Sequence, residues 1–228
     1  MQILVVVARF PRDHSGMDAE SPKAWELSLP QAFLLLATND ADGGAEVPQP
    51  VLQAGVAGAI LAELDLLGAI ELQGKHVRVT GAPVPAQVQH HLDLIRHKSR
   101  PHSAHRWVSI LESRTEVHRI YEELAEQGAV RHVGEKRLGL FRITRYPEQD
   151  HAPKAALLKE IGAGLGGGTA DARTMALIGL LHVTGLLERL FADADHHRAR
   201  DIANSHWPSH AVAEEIRMIT LAEAEAAT

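Results

Sequence analysis

The segments LDLLGAI at residues 64–70 and LAEQGAV at residues 124–130 share one pattern, and this repeat decides the fold class. In each segment, apolar residues end an amphipathic helix, a glycine follows, and apolar residues then lead into an extended stretch. A glycine just past the last apolar position is typical of a helix C-terminus, because glycine adopts the left-handed conformation without steric cost. The repeat therefore predicts two helix–glycine–hairpin units, with hairpins over residues 69–80 and 129–146.

The rest of the chain is predicted to be helical. Alanine and leucine are abundant and aromatic residues make up 4%, a composition that favours helix over sheet. Ser28 is a candidate N-cap. Helices are predicted over residues 28–36, 51–67, 85–97, 106–126 (one or two), 153–161, 171–192 and beyond Pro208, with a flexible glycine loop at 162–168 and the turn of the second hairpin near 134–136. The predicted fold class is mainly α: a helical core with two peripheral β-hairpins.

Residues 25–220 are predicted to form a single domain. We interpret residues 1–24 as a mobile or strand-like N-terminal extension and residues 221–228 as a C-terminal tail; either Met1 or Met17 would serve as the natural start. The longest apolar stretch, residues 175–187, is shorter than the ~20 residues that span a bilayer. There is no cysteine, so no disulfide framework or thiolate site is available. We expect a cytoplasmic protein without a transmembrane segment.

Charge is distributed unevenly along the chain. The formal net charge is −6, yet residues 75–159 contain 15 Lys and Arg against 9 Asp and Glu. A basic middle between acidic ends is typical of a protein with an anionic partner. An ordinary solvated surface is the alternative interpretation of the same charge pattern.

The second helix–glycine–hairpin unit contains the candidate anion-binding residues. The cations lie on its helix and hairpin: Arg114, Arg119, Arg131, Lys136, Arg137, Arg142 and Arg145. The same hairpin contains four apolar residues that could enter a membrane surface or support self-association: Leu138, Leu140, Phe141 and Ile143. Packing of these four residues against the protein's own helices is the alternative.

No catalytic residues, metal site or cofactor site are predicted. A G-x-G-x-x-G spacing occurs at residues 162–167, but the preceding segment is predicted to be helical, whereas a dinucleotide site needs a preceding strand. Of the fifteen histidines, His90 and His91 are adjacent on a predicted helix, which should point them in different directions. Acidic residues near arginines fit solvated pairing. The chain is therefore predicted not to be an enzyme.

A tandem winged-helix protein is a competing interpretation, because a helix followed by a hairpin also describes that nucleic-acid-binding unit. The helix over residues 51–67 contains no Lys or Arg, and it carries Glu63 and Asp65. Phosphate contacts supply most non-specific affinity for nucleic acid. The first unit is thus poorly suited to a DNA groove, and nucleic-acid binding is disfavoured.

Five blocks in order resemble the GPP34 family, known from the Golgi phosphoprotein 3-like proteins. The resemblance runs over residues 27–213. The blocks are LPQAFLLLATND at residues 29–40, residues 55–72, residues 122–141, DARTMAL at residues 171–177 and LERLF at residues 187–191. The resemblance implies a mainly helical fold with peripheral hairpins.

Eukaryotic members of this family bind phosphatidylinositol 4-phosphate at membranes and adapt cargo enzymes for Golgi retention. The resemblance places their headgroup-pocket positions on Pro48, Ala57, Arg114 and Val117, of which Arg114 keeps the family's residue. The composition resembles the bacterial branch. We therefore expect a non-enzymatic peripheral protein that binds anionic phospholipid headgroups, on the inner face of a membrane. A protein–protein adaptor or homo-oligomerising module with a basic surface is the alternative.

Overall fold

A computed structural model describes residues 23–137, 141–194 and 196–227, and it confirms a mainly α fold with two hairpins. A short 3-10 helix over Ala24–Glu26 precedes ten helices in the described part of the chain. They are α1 (Leu29–Leu36), α2 (Gln49–Leu66), α3 (Ala86–Arg96), α4 (Ala104–Leu111), α5 (Arg114–Glu126), α6 (Ala152–Leu165), α7 (Ala172–Val183), α8 (Leu186–Leu190), α9 (His196–Ser205) and α10 (Trp207–Ala226). The predicted N-terminal extension up to residue 22 lies outside the described residues.

The repeated pattern folds in the same way in both copies. Gly68 follows α2 with φ +66°, and Gly128 follows α5 with φ +79°. In the first copy Ala69 N donates to Leu64 O at 2.9 Å, and in the second Ala129 N donates to Leu124 O at 2.9 Å. Gly68 N also donates to Asp65 O, and Gly128 N donates to Ala125 O. Together these bonds form a Schellman motif that ends each helix. The helix–glycine–hairpin prediction is confirmed.

Each unit continues into a two-stranded antiparallel sheet. In the first hairpin β1 (Ile70–Gln73) pairs with β2 (His76–Val79), and in the second β3 (Val133–Arg137) pairs with β4 (Phe141–Arg145). The second register joins Val133 to Arg145 and Lys136 to Arg142. The prediction of a turn near residues 134–136 is wrong, because these residues belong to β3 and pair with β4. The connection itself, with Leu138 and Leu140, lies outside the described residues.

Helix α2 lies at the centre of the core and contacts α1, α4, α7 and α10. Its small residues permit this close approach. A Cβ atom added at Gly55 would overlap the ring of Phe33 on α1, and one added at Gly58 would overlap Val212 on α10. Because the helix is enclosed, it offers no free face to a nucleic-acid groove.

Replacing Gly58 by Ala is expected to lower the free energy of unfolding by about 1–3 kcal/mol, the usual cost of overpacking a core. The new Cβ would overlap Val212 and lie 2.9 Å from Leu180 Cδ2. Gly162→Ala is the matched control, since that glycine is also helical and its Cβ would meet only Phe191 at 3.5 Å. There we expect a gain of up to ~1 kcal/mol from helix propensity. Urea denaturation measures both changes, and equal stability of the two variants would contradict the packing argument.

Two helix predictions need correction. The glycine loop predicted at residues 162–168 is helical up to Leu165, where Gly164 packs closely against Ala170 and Ile178 on neighbouring segments. The helix predicted over residues 171–192 breaks after Val183, where Gly185 adopts φ +74° and starts α8. Helix α9 was not predicted, and α10 begins at Trp207 with Pro208 in its first turn.

None of the helices within residues 23–137, 141–194 and 196–227 combines the length and apolar character that a membrane span needs.

Candidate anion-binding cleft

A cleft of about 520 Å³ lies between α5, the end of β4 and the loop that follows α1. A volume of this size is in the range of small-ligand sites. The described lining residues are Gly43, Gly44, Ala45, Gln49, Arg114, Val117, His118, Tyr121, Thr144, Arg145 and Tyr146. Two arginines and a histidine thus reach one cavity from two different elements.

One face of α5 forms the helical wall of the cleft. Arg114, Val117, His118 and Tyr121 follow the i, i+3, i+4, i+7 spacing that places side chains on the same side of a helix. Ser113 is the N-cap, and its hydroxyl accepts a hydrogen bond from Thr115 N at 3.2 Å. The cap fixes the start of the helix, and Arg114 therefore projects from its first turn.

The loop over residues 39–46 forms the opposite wall, and backbone contacts hold it in place. Tyr146 N donates to Gly43 O at 3.1 Å, and Gly43 has φ +65° with no room for a Cβ beside Tyr146 and Pro147. The buried ammonium of Lys154 donates to Thr38 O at 2.6 Å and also binds Asp40. The loop is therefore fixed to both the hairpin and α6.

Two tyrosines form the floor between the walls. The rings of Tyr121 and Tyr146 stack with centroids 4.2 Å apart and 3° between their planes. Burial raises the pKa of Tyr121 to about 12, although its hydrogen bond with Thr38 opposes this shift. Burial and the neighbouring Glu122 carboxylate raise the pKa of Tyr146. Both phenols therefore stay neutral, and Tyr146 donates to Glu122 Oε1 at 2.8 Å.

The electrostatics of the cleft favour an anion. Among its described lining residues there is no Asp or Glu side chain. Arg114 is exposed and has no ion pair within the part of the chain that the structure describes. Arg145 has one carboxylate neighbour, Asp42, at 3.6 Å, and that carboxylate is 65% exposed. Exposed ion pairs contribute ~0–1 kcal/mol, so an incoming phosphate can compete with Asp42 for the guanidinium.

The predicted anion-binding residues fall into four groups. Arg114 and Arg145 meet at the cleft, whereas Arg119 lies beside Glu116 and Glu123 and forms ion pairs with both. Arg131 is exposed between α5 and β3. The side chains of Lys136, Arg137, Arg142, Phe141 and Ile143 lie outside the described part, although the backbone places these residues on β3 and β4. The roles of these residues stay predictions.

The four positions implied by the family resemblance do not all line the cleft. Arg114 and Val117 line the cleft, but Pro48 is the exposed N-cap of α2 and does not. Ala57 is fully buried in the core and is remote from any ligand that enters from solvent. Arg145 is not one of these four positions, and it supplies a cation to the cleft from β4.

His118, Tyr146 and Gly43 are cleft residues that sequence reasoning missed. The spacing from Arg114 to His118 along one helix face was available as a signal. The approach of Tyr146 and Gly43 was not, because it depends on a contact between segments about a hundred residues apart along the chain.

Two groups of side chains in the described residues have the composition of metal ligands. One is His90, His91 and Glu116, and the other is Asp40, Glu148 and His151. The expectation that His90 and His91 point apart is wrong: their ring centroids are 3.6 Å apart, because both rings turn towards Glu116. Burial raises the pKa of Glu116, but hydrogen bonds from His91 and Arg119 outweigh it and hold the value at about 2. These contacts explain the first group as an ionic link between α3 and α5.

Comparison with known proteins gives one family match. The model of the Golgi phosphoprotein 3 (GPP34) family matches residues 29–219, which is most of the chain. None of the curated proteins compared with this chain matches it.

Proposed function

We propose that this chain, which belongs to the Golgi phosphoprotein 3 (GPP34) family, is a peripheral membrane protein that binds anionic phospholipid headgroups. In this proposal it acts by binding and not by catalysis, at the cytoplasmic face of a membrane. The ligand is phosphoinositide-like, and it enters the cleft between α5 and the second hairpin.

The observation that carries the proposal is the convergence of Arg114, His118 and Arg145 on one cleft. Guanidinium groups bind phosphate through paired, charge-assisted hydrogen bonds. The absence of carboxylates from the described lining leaves the attraction of Arg114 and Arg145 for a phosphate largely intact. The stacked tyrosines beneath the cleft are buried and hold its shape without adding charge.

The second hairpin adds a broader attraction to a negatively charged surface. Its segment contains five cations, from Arg131 to Arg145, and one acid, Glu135. At ~1 kcal/mol per basic residue near an anionic membrane, this net charge contributes at most roughly 4 kcal/mol. That energy corresponds to a gain in membrane partition on the order of a thousandfold.

Vesicle flotation at low and high salt tests the proposal. We expect strong flotation with vesicles that contain phosphatidylserine or phosphatidylinositol 4-phosphate, and little with phosphatidylcholine alone. High salt should reduce the flotation, since screening shortens the range of surface charges. Equal binding to neutral and anionic vesicles at low salt would contradict the proposal.

The comparison of the two anionic lipids distinguishes binding of a specific headgroup in the cleft from a general attraction to a negatively charged surface. Phosphatidylserine and phosphatidylinositol 4-phosphate are used at amounts that give equal vesicle charge. Stronger binding to the phosphoinositide would indicate a headgroup held in the cleft, and equal binding would indicate a surface attraction alone. Absence of binding to either lipid, together with capture of an acidic protein, would favour the adaptor interpretation.

A further inference from the structure

Among the described residues that line the cleft, His118 on α5 is the one histidine. It lies one helical turn after Arg114 on the same helix face, and Arg145 lines the same cleft from the hairpin. The His118 side chain is 55% exposed. Solvent and a bound anion can therefore both reach the imidazole ring.

The surroundings of His118 form a chain of polar contacts. The Tyr146 hydroxyl lies 2.6 Å from His118 Nδ1 and donates to Glu122 Oε1 at 2.8 Å. His118 Nε2 is 3.7 Å from Glu122 Oε1. His132, which precedes β3, completes the group, since its Nδ1 lies 2.9 Å from the same carboxylate oxygen.

The charged groups facing this cluster come from four parts of the described chain. Arg114 and Glu122 belong to α5, and His132 belongs to the segment after it. Arg145 belongs to β4, and its neighbour Asp42 comes from the loop after α1. When the imidazoles of His118 and His132 are both neutral, the carboxylate of Glu122 places an uncompensated negative charge beside the binding cleft.

We propose that His118 is a third, proton-dependent anion contact of the cleft, and that it makes membrane binding stronger as the pH falls. This inference rests on the proposed function and adds its regulation. Histidine is the side chain whose ordinary titration range lies between pH ~5 and ~8. Protonation of His118 adds a cation beside Arg114 and Arg145, and protonation of His132 neutralises Glu122.

The carboxylate does not cancel this switch by titrating itself. Burial acts to raise the pKa of Glu122, but hydrogen bonds from Tyr146 and His132 outweigh it, and the pKa lies below the ordinary glutamate value. Glu122 therefore stays ionised at neutral pH. Tyr146 stays neutral and holds the His118 ring at the cleft through its hydroxyl group.

The experiment measures binding of the full chain to vesicles of phosphatidylserine and phosphatidylcholine, at constant salt, between pH ~8 and ~6. Phosphatidylserine keeps a constant charge over this range, so the protein alone supplies the pH dependence. One added cation near an anionic surface strengthens binding about fivefold. We expect at least this increase for the wild type.

Two glutamine variants identify the responsible group. In His118→Gln, the strengthening of vesicle binding as the pH falls should be about fivefold smaller than in the wild type. Glutamine keeps a hydrogen-bonding side chain but cannot take up a proton. His210→Gln is the matched control on α10, where the exposed histidine lies outside the cleft, and it should keep the wild-type increase. An unchanged pH dependence in His118→Gln would overturn the inference.

Calorimetry provides a readout that a merely structural role of His118 would not change. Heats of vesicle binding measured near neutral pH in two buffers with different ionisation enthalpies give the number of protons taken up. We expect uptake by the wild type and less uptake by His118→Gln. Binding without any proton uptake would overturn the inference while leaving the proposed function intact. Absence of binding at every pH would contradict the proposed function itself.

Discussion

A protein with both Arg114→Glu and Arg145→Glu is expected to bind anionic vesicles on the order of a thousandfold more weakly than the wild type. Each arginine near the membrane contributes ~1 kcal/mol of attraction, and a glutamate in its place adds repulsion of similar size. Two reversals therefore change the binding free energy by about 4 kcal/mol, which corresponds to that factor. Flotation over a range of lipid concentrations measures the loss.

The matched control reverses two cations outside the cleft. Arg200 and Arg217 are exposed on α9 and α10, and Arg200→Glu with Arg217→Glu changes the net charge by the same amount. We expect this control to lose much less affinity, because surface charges beyond a Debye length of ~10 Å are screened. If both double variants lose affinity equally, net charge explains the binding and the cleft does not. Thermal denaturation of all the proteins verifies that they are folded.

Local sequence rules predicted the parts of the fold that depend on neighbouring residues. Gly68 and Gly128 each follow the end of an amphipathic helix, and the left-handed conformation they adopt is a property of glycine itself. The Ser28 hydroxyl accepts from Gln31 N at 3.4 Å, as an N-cap should. The cationic character of the second hairpin is likewise a count of residues, so it too was available from the sequence.

The parts that sequence rules missed depend on tertiary contacts. Gly164 continues α6 and packs against Ala170 and Ile178, although four nearby glycines indicated a loop. The separate α8 depends on the positive φ of Gly185 within a run of apolar residues. An apolar run gives no signal of such a break, since a buried helix and two short helices have the same composition.

The cleft could be predicted only in part for the same reason. Arg114 and Arg145 were identified from charge and position, but their meeting depends on the loop at residues 39–46 docking against Tyr146. Charge and position alone predicted an anion-binding role for Arg119 as well as for Arg114. The difference between them arises from Glu116 and Glu123, which lie three residues before and four residues after Arg119 on α5 and bind its guanidinium.

Lowering the pH from 7 to 4 is expected to destabilise the fold through His206, the N-cap residue of α10. Burial lowers the pKa of His206 from 6.5 to about 4. Its Nδ1 lies 2.7 Å from the hydroxyl of the fully buried Ser209, and its Nε2 is buried without a hydrogen-bond partner among the described residues. The positive end of the α10 dipole further disfavours an imidazolium at this position.

The sign of the effect follows from proton binding in the two states. Above pH ~6.5 the imidazole is neutral in both the folded and the unfolded chain, so His206 does not change the free energy of unfolding there. Between pH ~6.5 and ~4 the unfolded chain takes up a proton that the folded chain excludes, and the free energy of unfolding falls as the pH falls. This difference in pKa corresponds to roughly 3.4 kcal/mol in full, of which roughly 3 kcal/mol is lost by pH ~4.

Replacing His206 by Asn isolates this contribution, because asparagine is a favoured N-cap and does not titrate. The difference in unfolding free energy between wild type and variant, measured by urea denaturation at several pH values, should shift in favour of the variant by roughly 3 kcal/mol between pH ~7 and ~4. His210→Asn, exposed on the same helix, should follow the wild-type curve because its ring lies in solvent in both states. A difference that stays constant with pH would mean that the folded protein admits the proton without a cost in stability.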